Sequence, residues 1–95
     1  MKEQRTRMRI VGDVLVAARD NVVAPGGSPE TQMARHANLP HGRIKKVLAT
    51  LVAQGLLEQS SPSGACLYRL SDSGHEFLAA YRSFSEMAEG FGLTL

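Results

Sequence analysis

The sequence predicts a mostly α-helical domain that carries one small β-hairpin. Three stretches place apolar residues three and four positions apart, the spacing that lines one face of a helix. A fourth stretch is marked by helix-start residues, and two short apolar runs flank the turn-rich segment 60–64 in the pattern of a hairpin. The 95 residues, 43% of them hydrophobic, suffice for one modest core. We therefore expect a single domain over residues 1–95.

Helix one is expected over residues 6–20. Its apolar positions share one face: Val11, Val14, Leu15 and Ala18. Pro25, Gly26 and Gly27 then break the helix, because proline lacks a backbone donor and glycine costs backbone entropy. Val22 and Val23 are expected to form a very short strand.

Helices two and three are expected over about 29–36 and 40–54, as a helix-turn-helix over 29–54. Helix two starts at Ser28, which supplies a capping side chain. Pro29 suits the first helical position, and Glu30 places an acid in the positive first turn. Asn38 interrupts the helical pattern, Pro40 permits a new helix to start, and Gly55 ends helix three. Helix three has an apolar face: Ile44, Leu48, Leu51 and Val52.

A hairpin and a last helix follow. The predicted strands are 56–59 and 66–70, with Cys66 as a small residue partly in the core. Ser71 caps a helix over about 72–91, where apolar residues alternate at spacings of four and three in a coiled-coil-like seam: Phe77, Tyr81, Phe84, Ala88 and Phe91. The end of this helix is expected to fray: Gly90, Gly92 and Thr94.

Helix, helix, turn, helix, hairpin, helix is the order of a winged helix-turn-helix. Two segments resemble a family of small archaeal winged helix-turn-helix proteins: 26–58, with its Ala37-Asn38-Leu39 and Gly55-Leu56-Leu57-Glu58, and 68–78, the Tyr-Arg-Leu-Ser junction into the last helix. Members of that family are transcriptional regulators or chromatin-associated DNA binders that often dimerise through the last helix. The resemblance implies that this chain binds double-stranded DNA. The hairpin, over about 56–70, corresponds to the wing of that family. The sequence departs from the family at Pro40, where members carry Ser or Thr, and in a wing tip without basic residues.

The charge is distributed unevenly along the chain. Residues 1–50 carry nine Lys or Arg against four acids, whereas residues 51–95 carry two against five. The chain is therefore +5 in its first part and −3 in its second, although its total charge is only +2. Such a distribution can direct one face at a polyanion while the other stays away from it. A randomly mixed solvated surface is the alternative.

Helix three is the predicted recognition helix. If its apolar residues face the core, a rotation of about 100° per residue turns its basic residues outward. In a helix-turn-helix this helix enters the major groove, where Arg and Lys donate to guanine. We expect His41 and Arg43 to read bases, and Lys45 and Lys46 to contact bases or phosphates. The full predicted DNA-binding set is Arg35, His36, His41, Gly42, Arg43, Lys45, Lys46 and Thr50.

Several alternatives stay open at this point. A solvated lysine face and a winged-helix module that binds only protein fit the same residues. Gly42 costs about 1 kcal/mol relative to alanine inside a helix, and either close approach to DNA or a frayed first turn explains it. The basic N-terminal edge either contacts phosphates or is solvated: Arg5, Arg7 and Arg9.

The last helix is expected to form a homodimer, with its first part packed on helix one and its end on a second subunit. The predicted dimer residues are Tyr81, Phe84, Met87, Ala88 and Phe91. A core within one chain is the alternative use of the same seam.

We expect neither catalysis nor a cofactor. The three histidines lack a metal-ligand spacing and Cys66 has no second cysteine beside it, so no zinc site is predicted. Ser71 and Asp72 serve as a helix start rather than as part of a catalytic set. No apolar run has the length of a membrane span and no signal peptide is recognisable, so a cytoplasmic protein is expected. The DNA binding that the resemblance implies would make it nucleoid-associated.

Overall fold

Four helices and a small antiparallel sheet make up the computed structural model, which describes residues 5–23, 26–62 and 64–94. In chain order the elements are α1 (Arg7–Asp20), β1 (Ser28–Pro29), α2 (Glu30–Ala37), α3 (His41–Ala53), β2 (Leu57–Ser60), β3 (Leu67–Leu70) and α4 (Asp72–Gly90). The strand order in the sheet is β1-β3-β2. The predicted α-rich fold with a hairpin is confirmed, and the hairpin gains a third strand.

Helix α1 begins at a side-chain cap, because the Thr6 hydroxyl accepts a hydrogen bond of 3.0 Å from the backbone N–H of Arg9. Its inner face is buried along its whole length: Ile10, Gly12, Val14, Leu15, Ala17 and Ala18. This face meets the apolar sides of α2 and α3, where Met33, Ile44 and Leu48 are fully buried. The core thus lies between the first helix and the helix-turn-helix.

Two left-handed residues set the ends of α2 and α3. Asn38 has φ 57°, and the N–H of Leu39 donates to the carbonyl of Ala34 at 2.9 Å. Gly55 has φ 81°, and the N–H of Leu56 donates to the carbonyl of Leu51 at 2.9 Å. Both are Schellman-type endings, which satisfy carbonyls that a helix end leaves without partners. The predicted stops at Asn38 and Gly55 are confirmed.

The predicted start of α2 is wrong in its detail. Ser28 does not cap the helix. It lies buried in β1, where its hydroxyl donates a hydrogen bond of 3.1 Å to the carbonyl of Ala18. Pro29 is the N-cap and makes no side-chain capping bond. The short strand predicted at Val22 and Val23 is also wrong, because these residues are exposed and outside any strand. Ser28 pairs with Tyr68 of β3 instead.

Helix α4 is anchored at its start and ordered at its end. The Ser71 hydroxyl accepts a hydrogen bond of 2.9 Å from the N–H of Gly74, which confirms the predicted cap. At the other end Gly92 has φ 78°, and the N–H of Leu93 donates to the carbonyl of Ala88 at 2.9 Å. Gly92 thus closes the helix with a third Schellman-type ending, and the fraying expected at this end stays a prediction.

Candidate nucleic-acid interface

Helix α3 divides into a buried face and an exposed basic face. Ile44, Leu48 and Leu51 are buried in the core. The opposite and flanking positions are exposed, and they include six of the predicted DNA-binding residues: His41, Gly42, Arg43, Lys45, Lys46 and Thr50. The period of the helix brings these side chains together on one surface. We call the surface formed by these six residues the α3 face.

The cations of the α3 face are not equivalent. Lys45 Nζ lies 3.3 Å from Glu30 Oε2 at the start of α2. Within the described residues, Arg43 and Lys46 form no ion pair. These two residues can therefore meet an anion without first losing a partner. A sequence pattern could not separate them from Lys45, because the distance between α2 and α3 is set by packing.

Two further predicted residues end α2 beside the turn. Arg35 is an exposed cation in the last turn of α2. His36 is also exposed, but its Nδ1 lies 2.8 Å from the amide nitrogen of Asn21, just beyond α1. The same amide also donates a hydrogen bond of 2.9 Å to the carbonyl of Ala17. Asn21 thus orients the imidazole and leaves His36 Nε2 as the ring nitrogen that is free for another partner.

Arg5 has a structural contact that the sequence did not indicate. Its guanidinium donates three hydrogen bonds: to Asp13 Oδ2 at 2.7 Å, to the carbonyl of Ala37 at 2.7 Å and to the carbonyl of Asn38 at 3.0 Å. Its side chain is only 12% exposed. A cation at the C-terminal end of a helix is favoured by the helix dipole, so Arg5 fastens the chain before α1 to the turn after α2. Arg7 and Arg9 remain exposed.

The wing has no free cation among its described residues. Arg69 Nε lies 2.8 Å from Glu58 Oε1, and the two residues face each other across β2 and β3. The predicted place of Cys66 in the core is wrong, because its thiol is exposed beside the strand. Gln59 donates to this thiol at 2.8 Å and, with Ser61, lowers the pKa of Cys66. The wing is therefore a polar, charge-balanced hairpin.

The last part of α4 carries the exposed apolar residues of the predicted dimer seam. Phe84, Met87 and Phe91 are 57%, 59% and 77% exposed. Tyr81 packs instead against α1, where a Cβ on Gly12 would overlap its ring. Ala88 is buried within its own chain. The structure thus separates the five predicted residues into three that are available and two that are covered.

The described part of the chain has neither the side-chain cluster of a metal site nor a membrane-spanning helix. No group of three or more His, Cys, Asp or Glu side chains is placed to hold a metal ion there. No helix among those residues is both long and apolar enough to span a bilayer.

Comparisons with known proteins extend this description. A model of winged helix-turn-helix proteins matches residues 4–89. Sso10a-2, a DNA-binding protein from Sulfolobus solfataricus, shares 20% identity at a TM-score of 0.77, over 92% of this chain and 85% of that one. A protein from Ralstonia eutropha proposed to bind DNA shares 27% identity at a TM-score of 0.59, over 75% and 91%.

A MarR family transcriptional regulator from Silicibacter pomeroyi has the same fold at lower identity. It shares 14% identity at a TM-score of 0.65, over 88% of this chain and 57% of that one, so the chain spans little more than half of that regulator. No curated protein is a match to this sequence. The resemblance drawn from the sequence is confirmed by these findings.

Proposed function

Because the chain belongs to the winged helix-turn-helix family, we propose that it binds double-stranded DNA through α3 and is not an enzyme. The observation that carries the proposal is the division of α3. One side of the helix is fixed in the core by Ile44, Leu48 and Leu51, and the other side presents the α3 face to solvent. A rigid helix with an exposed cationic side is what insertion into the major groove requires.

The residues of the α3 face have different roles in this proposal. His41 and Arg43 lie in the first turn of α3 and read base edges, since the N-terminal part of a recognition helix lies deepest in the groove. Lys45, Lys46 and Thr50 contact phosphates or neighbouring bases. Arg35 and His36, beside the turn, contact the DNA backbone, so they position the protein on the duplex without reading the base sequence.

A homodimer is the second part of the proposal. Phe77, Phe84 and Phe91 recur every seven residues from α4 to the residue that caps its end, and Met87 lies one turn beyond Phe84. Phe77 packs against the core of its own chain, whereas Phe84, Met87 and Phe91 are uncovered. A second copy of α4 covers this strip in the proposed dimer, because apolar residues clustered on an exposed helix face mark an interface. Tyr81 and Ala88 support the strip from within each chain.

The proposed dimer works as a transcriptional regulator or as an architectural protein of the nucleoid. Sso10a-2 is a DNA-binding protein and the Silicibacter neighbour is a transcriptional regulator, which supports either role. A two-fold dimer presents two copies of α3, so half-sites on one face of the duplex are spaced by about 10–10.5 base pairs or a multiple of it. Footprinting separates the roles: a regulator protects discrete paired half-sites, and an architectural protein protects continuous tracts.

The DNA-binding test is a fluorescence-anisotropy titration of duplex DNA at several salt concentrations. Log affinity falls with log salt by about 0.9 per phosphate neutralised. We therefore expect Lys45→Gln with Lys46→Gln, which removes the two lysines assigned to phosphates, to flatten the slope by up to about 1.8. The matched control removes two exposed cations from α1 and α4, Arg19→Gln with Arg82→Gln, and keeps the slope. Absence of salt-dependent binding by the unchanged protein refutes the proposal and leaves a protein-interaction module.

The dimer test is light scattering at micromolar protein concentration. The unchanged protein is expected to have the mass of two chains, and Phe84→Ser with Phe91→Ser the mass of one, with helical circular dichroism retained. Val22→Ser with Val23→Ser is the matched control, since these residues are 57% and 64% exposed but follow α1 and are not part of the strip on α4. The monomeric variant should lose about 10²- to 10⁴-fold in affinity for a paired site. A monomeric unchanged protein contradicts the proposed dimer.

A further inference from the structure

We infer that Glu30 competes with DNA for Lys45 and thereby sets how strongly the protein holds DNA of any sequence. The inference rests on the proposed function and adds a residue outside the predicted DNA-binding set. Its starting point is the 3.3 Å ion pair between Glu30 Oε2 and Lys45 Nζ. Lys45 belongs to the α3 face, so the pair places a protein carboxylate where a phosphate would otherwise bind.

The two partners differ in their freedom to move. The Glu30 side chain is 20% exposed, whereas that of Lys45 is 69% exposed. Glu30 is the first residue of α2, where the positive end of the helix stabilises a carboxylate. Lys45 carries its charge on a flexible four-carbon stem. The lysine can therefore swing out to a phosphate, and the carboxylate stays behind in its place.

The sheet fixes where this carboxylate lies. Pro29, immediately before Glu30, pairs with Leu67 of β3. The pKa of the nearby Tyr68 is raised mainly by burial, with contributions from Cys66 and from the Glu30 carboxylate. Glu30 thus lies between the proposed recognition helix and the central strand of the wing. A negative charge at that place also repels the phosphates of a duplex seated on α3.

Both effects act on phosphates and therefore on every sequence alike. To contact a phosphate, Lys45 must first leave Glu30, and the acid that remains opposes the approaching backbone. The base contacts proposed for His41 and Arg43 involve neither effect. Glu30 thus lowers the electrostatic, sequence-independent part of the affinity.

The test compares Glu30→Gln with Asp20→Asn on a random-sequence duplex. Asp20→Asn is matched because it removes one negative charge and also frees an arginine, Arg19, whose Nε lies 2.7 Å from Asp20 Oδ1 on α1. For Glu30→Gln we expect binding about 1.4- to 5-fold tighter at low salt, the effect of losing an exposed ion pair. The salt slope should steepen by up to about 0.9, because a Lys45 that Glu30 no longer holds neutralises one phosphate in every complex. Asp20→Asn should leave the slope unchanged.

A double-mutant cycle with Lys45→Ala shows whether the lysine is the cause. In the Lys45→Ala background, Glu30→Gln is expected not to change the salt slope. The inference is overturned if the slope changes equally with and without Lys45, or if Glu30→Gln behaves like Asp20→Asn. In both cases the proposed function stands as long as the unchanged protein binds DNA in a salt-dependent manner. If the unchanged protein does not, the proposed function and the inference fall together.

Discussion

Replacing Gly74 by alanine should break the junction between the wing and α4. Gly74 is buried in the first turn of α4, and a Cβ there would overlap the carbonyl oxygen of Leu56 and lie 3.1 Å from Leu70 Cδ2. The same carbonyl accepts a hydrogen bond of 3.2 Å from the N–H of Ser71. Because the obstructing atom belongs to the backbone, no side-chain rotation relieves the overlap, and α4 must move away from the wing.

The expected cost follows from three contributions. Overpacking costs about 1–3 kcal/mol, and the loss of one hydrogen bond costs about 1 kcal/mol more. Alanine returns up to about 1 kcal/mol through its higher helix propensity. The net destabilisation is about 1–4 kcal/mol, or a fall in Tm of about 4–32 °C for a domain of this size.

Urea unfolding followed by circular dichroism, at one fixed protein concentration, measures this change. Gly90→Ala is the matched control on the same helix, because nothing lies within 4 Å of a Cβ built on Gly90. It should leave the stability unchanged or raise it by up to about 1 kcal/mol. If Gly74→Ala is as stable as Gly90→Ala, then the close packing of α4 on Leu56 does not hold the wing and the helix together.

Two further changes test local chemistry. Asn38→Ala should lower the free energy of unfolding by about 1 kcal/mol, because φ is 57° at this position, whereas Asn38→Gly should not; urea unfolding of both variants measures the difference, and equal effects would contradict the left-handed turn. Gln59→Leu should raise the pKa of Cys66, since Gln59 is the main cause of its lowering, and the pH profile of alkylation by iodoacetamide should move to higher pH.

Local signals predicted much of this fold because the structure uses them locally. Asn38, Gly55 and Ser71 end or begin helices through bonds to residues at most five positions away. Ser28 is an equally good helix-capping residue by sequence, but contacts with distant residues place it in β1 instead of at the start of α2. Its hydroxyl donates to Ala18, and its backbone pairs with Tyr68, 40 positions along the chain. A two-residue strand has no periodicity of its own, so β1 leaves no trace in the sequence pattern.

The candidate site divides in the same way. The helical period was enough to place the α3 face on one side, because every residue of that face lies on one element. The partners of Lys45 and His36 lie on α2 and just after α1, and the two carbonyls to which Arg5 donates lie more than 30 positions away. Such pairs depend on how the helices cross. The sequence therefore indicated which cations of α3 are exposed, but it did not indicate that Lys45 is paired or that Arg5 is largely buried.

Gly42→Ala tests the interface most directly, because the free protein gives no reason for a glycine at this position. Nothing lies within 4 Å of a Cβ built on Gly42, and its φ is not positive. Alanine should therefore raise stability by about 0.5–1 kcal/mol through helix propensity alone. If DNA approaches the first turn of α3, the added methyl takes space that DNA needs, and overpacking by about 1–3 kcal/mol weakens binding about 5- to 150-fold. Stability and DNA affinity should thus change in opposite directions, as measured by urea unfolding and fluorescence anisotropy. Gly90→Ala, which also removes an exposed glycine from a helix, should leave DNA affinity unchanged. A Gly42→Ala protein that is more stable and binds DNA as tightly as the unchanged protein would mean that the start of α3 does not enter the groove.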